Sequence, residues 1–181
     1  VYKESDDICS AFTFLRIPAR VVKRCLTELD VHIRLFTEAD RPFLRTLFLA
    51  ARRHNWDWIA NDDWQLEDFD QVILGETVLV AELDGHRAGF AGLMENDNFL
   101  HSLYVDPDYQ GRGVGSALLE AVQSRFTSTG ALKCLQMNKA AQTFYLQHGW
   151  KVISQGESDQ GGYLLMHYPQ ASHYESDAQK G

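Results

Sequence analysis

Between positions 99 and 122 the chain changes its period, and that change limits the folds open to it more than any other feature. Phe99 to Val105 reads as a strand. Beyond the Asp106-Pro107 break, Val114, Ala117, Leu118, Ala121 and Val122 recur at helical spacing. The two are joined by Gln110-Gly-Arg-Gly-Val-Gly-Ser116, which places glycine at 111, 113 and 115. A strand that enters a helix through such a loop leaves unpaired N–H groups and the positive end of the helix dipole where an anionic group can be held. Glycine removes the Cβ atoms that would keep a pyrophosphate from the backbone, and Arg112 and Ser116 can add donors. The loop therefore reads as a phosphate seat. Its spacing excludes two common ones. A dinucleotide fingerprint would need glycine where the chain has Ser116, and a P-loop would need Gly-Lys-Ser/Thr, which is absent.

The flanking pattern is mixed. Val31 to Leu35 alternates as a short strand, and Thr37 to Pro42 reads as a helix start followed by Phe43, Leu44, Leu47, Phe48 and Ala51 on one face. Thr77–Leu83 and His86–Met94 flank the turn dipeptide Asp84-Gly85, a strong hairpin signal. The loop helix is expected to end near Thr129-Gly130, a strand to run from Leu132 to Met137, and a helix from Ala140 to Gln147. Strands Trp150 to Ser154 and Gly162 to Tyr168 close the pattern. This predicts one α/β domain over residues 31–168, with an N-terminal extension or arm at 1–30 and a polar tail at 169–181.

A chain of 181 residues, 45% hydrophobic, can bury a substantial core. Its formal charge of −8 opposes phosphate backbones and anionic lipid, so neither nucleic acid nor membrane is an expected partner. Cys9, Cys25 and Cys134 form no C-x-x-C pair, and the seven histidines show no ligand spacing, which predicts no metal. Charged residues at short intervals within the first thirty positions leave no room for a signal-peptide core, and a cytoplasmic location is expected.

The stretch Leu103-Tyr-Val-Asp-Pro-Asp-Tyr-Gln-Gly-Arg-Gly-Val-Gly-Ser-Ala-Leu-Leu119 resembles the acetyl-CoA motif of the GNAT superfamily, with its Q/R-x-x-G-x-G/A core. A second segment, Asn138-Lys-Ala-Ala-Gln-Thr-Phe-Tyr-Leu-Gln-His-Gly-Trp150, is similar to that family's N-x-x-A-x-x-F/L-Y-x-x-x-G-F/W. The resemblance implies a mixed, largely antiparallel sheet with a V-shaped splay, flanked by helices. It also implies an acetyl-CoA-dependent N-acetyltransferase of the EC 2.3.1 class, acting by direct attack of a primary amine through a tetrahedral intermediate. Acetyl-CoA is then the acyl donor. Amides near Leu103, Tyr104 and Val105 would hold its pantetheine and carbonyl, the residues Gln110, Gly111, Arg112, Gly113, Val114, Gly115 and Ser116 its pyrophosphate, and Asn138 a further contact.

Tyr145 occupies the family's general-acid position, and with an ordinary pKa of about 10 it is protonated at neutrality. The alternative is a core tyrosine, as the alternative for Asn138 is a helix cap. Lys133 stands where some N-terminal acetyltransferases carry a glutamate. His101 is a candidate base at a position similar to a histidine of the arylalkylamine acetyltransferases. On a regular strand it would share a face with Leu103. Glu95 and Asp97 are further candidates for that proton. Trp56, Trp58 and Trp64, set among acidic residues, form a candidate substrate wall or simply anchor a short helix. The expected acceptor is a small-metabolite amine. A catalytically silent acyl-CoA-binding domain and a protein lysine or N-terminal acetyltransferase are the alternatives, and a homodimer is compatible with all three.

Overall fold

The computed structural model describes residues 30–55 and 64–169. The expected extension at 1–30 and the tail at 169–181 lie almost wholly outside the described residues, as do Trp56 and Trp58.

Among the described residues seven strands form one sheet: β1 (Val31–Leu35), β2 (Thr77–Leu83), β3 (His86–Met94), β4 (Phe99–Val105), β5 (Gly130–Leu135), β6 (Lys151–Ser158) and β7 (Gly161–Tyr168). Their order across the sheet is β1-β2-β3-β4-β5-β7-β6, and every neighbouring pair is antiparallel except β4–β5. Among the described residues four α-helices cover the faces: α1 (Arg41–Asn55), α2 (Asp68–Val72), α3 (Val114–Gln123) and α4 (Lys139–Gln147). The expected splayed, mixed sheet with flanking helices is the fold observed.

Strand alternation divides the core in two. Leu79, Ala81 and Leu83 of β2 pack with Ala91, Leu103, Leu118 and Tyr145 on the α3 and α4 side. Val78 and Val80 point the other way and join Phe48, Phe69, Phe90 and Tyr104 beneath α1 and α2. The Asp84-Gly85 turn has φ of 54° and 78°, the left-handed pair that a two-residue hairpin demands and that these residues tolerate.

One buried ion cluster ties the first elements together. The Asp40 side chain is fully buried. It accepts from Arg34 at 2.7 and 2.8 Å, from Arg87 Nε at 2.6 Å, and from the Thr37 backbone and hydroxyl at 2.8 and 2.9 Å. The Arg34 bonds, with those of Arg87 and Thr37, hold its carboxyl far below the ordinary carboxylate range. On the neighbouring helices, Asp70 of α2 takes Arg41 and Arg45 of α1. These bonds, Arg45 foremost, also lower its pKa.

Three elements depart from the sequence reading. The loop helix stops at Gln123 instead of near residue 129, because Asn98 organises the segment that follows. Its Oδ1 accepts from Thr127 N at 2.7 Å, and its Nδ2 donates to Ser128 Oγ at 2.9 Å. Strand β5 begins earlier than expected, at Gly130, where Ala131 N donates to Asn98 O at 2.9 Å. Strand β6 runs on to Ser158 through Gly156, whose missing side chain makes room for the ring of Tyr163 on the paired strand.

Gly89 of β3 pairs with Val105 of β4. A Cβ there would sit 2.5 Å from Tyr104 O and 3.2 Å from Val105 Cα, both backbone atoms that cannot step aside. Gly89→Ala is expected to lower stability by about 1–3 kcal/mol, the range for overpacking. Urea denaturation checks this, and an unchanged midpoint would refute it.

Candidate active site

Strands β4 and β5 meet at a single register pair, Phe99 with Ala131. Past that pair β4 runs on to Val105 and β5 to Leu135, and among the described residues no strand lies between them. The β5-facing edge of β4 thus presents backbone groups to an open gap, in the place of a missing strand. Leu103, Tyr104 and Val105, read as cofactor contacts, lie along this edge. Their side chains are committed elsewhere: Leu103 and Val105 to one core, and Tyr104 to the other, stacked on Phe90 at 5.2 Å. What they can offer a ligand is backbone.

At the far end of β4 the chain enters the glycine loop. Gly111 and Gly113 adopt φ of 71° and 84°, and Gly113 caps α3 with no side-chain bond. A Cβ at either position would meet nothing within 4 Å. These glycines serve left-handed backbone over open space, at the N-terminus of a ten-residue helix. That is a cradle of the kind a pyrophosphate fits. Val114 and Gly115 are buried, so they too contribute backbone.

The polar side chains of the loop already have partners. Gln110 Nε2 donates to Val105 O at 3.3 Å, which pins the loop to the end of β4. Arg112 pairs with Asp84 at 2.7 Å and lies over the Tyr109 ring. Ser116 Oγ meets His148 Nε2 at 3.0 Å, while His148 Nδ1 bonds Phe144 O at 2.7 Å. A carbonyl only accepts, so Nδ1 carries the hydrogen, and in the neutral ring Nε2 accepts from the serine. This joins the start of α3 to the end of α4.

The second motif lies on the β5 side of the gap. Asn138 caps α4, its Oδ1 accepting from Ala141 N at 3.0 Å. The Tyr145 side chain is fully buried. Its ring packs 5.8 Å from Trp150 and 5.4 Å from Phe144, within the core shared by β4 and β5. Trp64 packs with Leu135, at the end of β5, and Tyr163, and carries the Arg52 guanidinium 4.4 Å over its ring. Of the three tryptophans read as a substrate wall, this is the one within the described residues. Lys133 lies 4.8 Å over Tyr163, and Glu95 pairs with Arg125 at 2.7 Å.

The regular-strand expectation for His101 fails. The ladder pairs Gly92 with Ser102 and Leu93 with Leu100, so His101 is the extra residue of a β-bulge. Leu100 and Leu103 consequently share one core, while His101 bonds Glu76, whose carboxylate lies against Gly92. Glu76 was not picked out from the sequence. The available signal was Gly92, a glycine inside a strand, which commonly marks a close approach. Among the described residues no group of histidine, cysteine and carboxylate side chains is arranged to hold a metal ion, and no helix is long and apolar enough to cross a membrane.

Residues 75–152 match the family model described as an acetyltransferase (GNAT) domain. An uncharacterized N-acetyltransferase of Mycobacterium bovis is 35% identical over 82 residues, 41% of this chain and 53% of that protein. The peptidyl-lysine N-acetyltransferase YiaC of Escherichia coli is 35% identical over 112 residues, 62% of this chain and 59% of YiaC. The chain thus spans about half the length of the first of these relatives. Among solved structures, yncA of Salmonella typhimurium, determined with its cofactor acetyl-CoA, aligns with a TM-score of 0.62 at 21% identity, over 83% of this chain and 99% of that one. A splayed sheet with a glycine cradle at its mouth and a matching domain model over the same residues agree: the segment 75–152 is similar to the GNAT acetyltransferase domain, and the fold is that of the solved acetyltransferases.

Proposed function

We propose that the protein transfers the acetyl group of acetyl-CoA to a primary amine. The observation that carries this reading is the single β4–β5 pair, which leaves the edge of β4 open from beyond Phe99 to the cradle at Gly111 and Gly113. Backbone amides on that edge would hold the pantetheine and polarise the thioester carbonyl. Fixed N–H donors do this without reorganising as charge develops on oxygen. The loop amides from Gly111 to Ser116 would hold the pyrophosphate, with the α3 dipole behind them. The amine nitrogen attacks the carbonyl carbon, the C–S bond breaks, and Tyr145 supplies a proton to the departing sulfur.

The acceptor we infer is the amine of a small metabolite, received against the wall that includes Trp64. The likeness to YiaC favours a second acceptor, a lysine side chain of a protein. Both are amines on a flexible chain, and the same gap serves either.

Calorimetric titration with acetyl-CoA, paired with thiol release against a panel of small amines and lysine peptides, tests this. Binding with amine-dependent release of CoA is expected, and the better substrate set decides between the two acceptors. Binding without turnover on any amine would point to an acyl-CoA-binding module. Absence of binding would refute the reading.

A further inference from the structure

His148 closes α4, and its imidazole makes two bonds in opposite directions. Nδ1 donates to Phe144 O at 2.7 Å, and Nε2 accepts from Ser116 Oγ at 3.0 Å. The first bond is an ordinary end to a helix, because the last carbonyls have no partner within it and a side-chain donor near the C-terminus commonly takes one. The second serves no such purpose. It reaches across 32 positions to the third residue of α3, the helix whose first turn forms the cradle with Gly111 and Gly113. In a helix each Cα–Cβ bond tilts towards the N-terminus, so the Ser116 side chain leans towards the cradle. On its other side the imidazole lies 4.2 Å from the ring of Phe144, which packs 5.4 Å from Tyr145. Ser116 and His148 are both half-buried, which shields their bond in part from water.

The place of this bond in the fold gives it weight. Helix α3 follows β4 and α4 follows β5, so the two helices stand on opposite sides of the seam that one backbone pair closes. The sheet therefore does little to fix α3 against α4, and the Ser116–His148 bond is a polar strut between them. From this geometry we propose that His148 is a positioning residue. It sets the register of α3 against α4, so that a donor anchored by its diphosphate at the start of α3 presents its sulfur to Tyr145 on α4. The role rests on the acetyl-transfer reading given above. Both ring nitrogens are committed to protein partners, so the imidazole takes no proton from the substrate. What it controls is a distance. Acetyl-CoA would be held at one end and react at the other, and a misplacement of about 1 Å can cost on the order of a hundredfold in rate.

The test is steady-state kinetics of wild type, His148→Leu, His148→Gln, Ser116→Ala and the Leu/Ala double variant, with the best amine of the panel above. Two donors are compared: acetyl-CoA, and S-acetylpantetheine, which has no diphosphate to anchor. Acetyl-CoA titration of each variant and ring nitrogen-15 NMR of His148 in the wild type complete it. His148→Leu is expected to lower kcat with acetyl-CoA on the order of tenfold, with acetyl-CoA affinity unchanged. Its rate with acetylpantetheine should match that of wild type. His148→Gln keeps an acceptor near the place of Nε2 and should recover most of the loss. The double variant should be no slower than the slower single one, since both remove one bond. The NMR spectrum should show hydrogen on Nδ1. Full turnover in His148→Leu, an equal loss with both donors, no recovery in His148→Gln, or losses that multiply in the double variant would overturn the role while leaving acetyl transfer intact. The cycle with acetyl-CoA decides even where acetylpantetheine is too slow to measure. A wild-type ring protonated on Nε2 alone would also overturn the role, and that measurement needs no variant to fold. A wild type that turns over no amine would overturn the acetyl-transfer reading, and this role with it.

Discussion

Tyr145→Phe is expected to lower turnover by about 10²–10⁴-fold, the usual contribution of a positioned proton donor, while acetyl-CoA affinity stays within about twofold. The burial of Tyr145 makes this substitution informative. Its ring is wedged against Trp150 and Phe144, so removing the whole side chain would disturb the core between β4 and β5 and reveal nothing about the hydroxyl. Phenylalanine retains the ring and removes one oxygen. A packing tyrosine would then give a folded protein with undiminished turnover. A general acid would give the same folded protein with a slowed chemical step. Single-turnover kinetics with saturating acetyl-CoA, beside a thermal melt, separate the two. Unchanged kcat would remove Tyr145 from the mechanism.

The second large effect is on stability. Asp40→Ala is expected to cost about 3–4 kcal/mol. About 3 of this comes from breaking a buried ion pair, and is taken at the low end because Arg34 and Arg87 keep a quarter and a third of their side chains in solvent. About 1 more comes from the lost capping box with Thr37. For a chain of this size the thermal midpoint should fall by about 10 °C. The pH dependence has a definite sign. The folded-state pKa of Asp40 lies below its unfolded value, with the Arg34 bonds as the largest cause. The stabilisation is therefore complete above about pH 4 and is lost as pH falls below it. Melting curves at pH 7 and pH 3 should show the gap between wild type and variant narrowing at the lower pH. A gap that stays constant would mean the carboxylate charge is not what stabilises the cluster.

These predictions differ in how far the sequence alone could have reached them. The glycine loop, the hairpin and the alternation of β2 were legible because each is local. Period, turn chemistry and dihedral demand are written within ten residues of one another. Asp40 could be read as part of a helix start, but not as the centre of an ion cluster, since Arg87 comes from a strand 47 positions away. The Glu76–His101 contact was hidden for a related reason. A bulge is a property of two strands together, and nothing in Leu100-His101-Ser102 by itself says that the ladder skips a residue there. Tyr145 and Asn138 were legible only through resemblance, as their spacing suits a cap and a core ring equally well. Trp64 stood out as an aromatic set among acidic residues, but its place beside Leu135 depends on pairings distant in sequence.

The lone rung between Phe99 and Ala131 makes this sheet a joint as much as a wall. Four strands hang on one side of it and three on the other, each group laced by antiparallel ladders, and along the seam itself one backbone pair is left to carry the load. A molecule lying in the gap with amide groups of its own would act as a splint, supplying the rungs that β5 omits. Occupancy and rigidity would then be one event: a loaded protein braced across its middle, and an empty one whose two halves are fastened by the core and a single stitch.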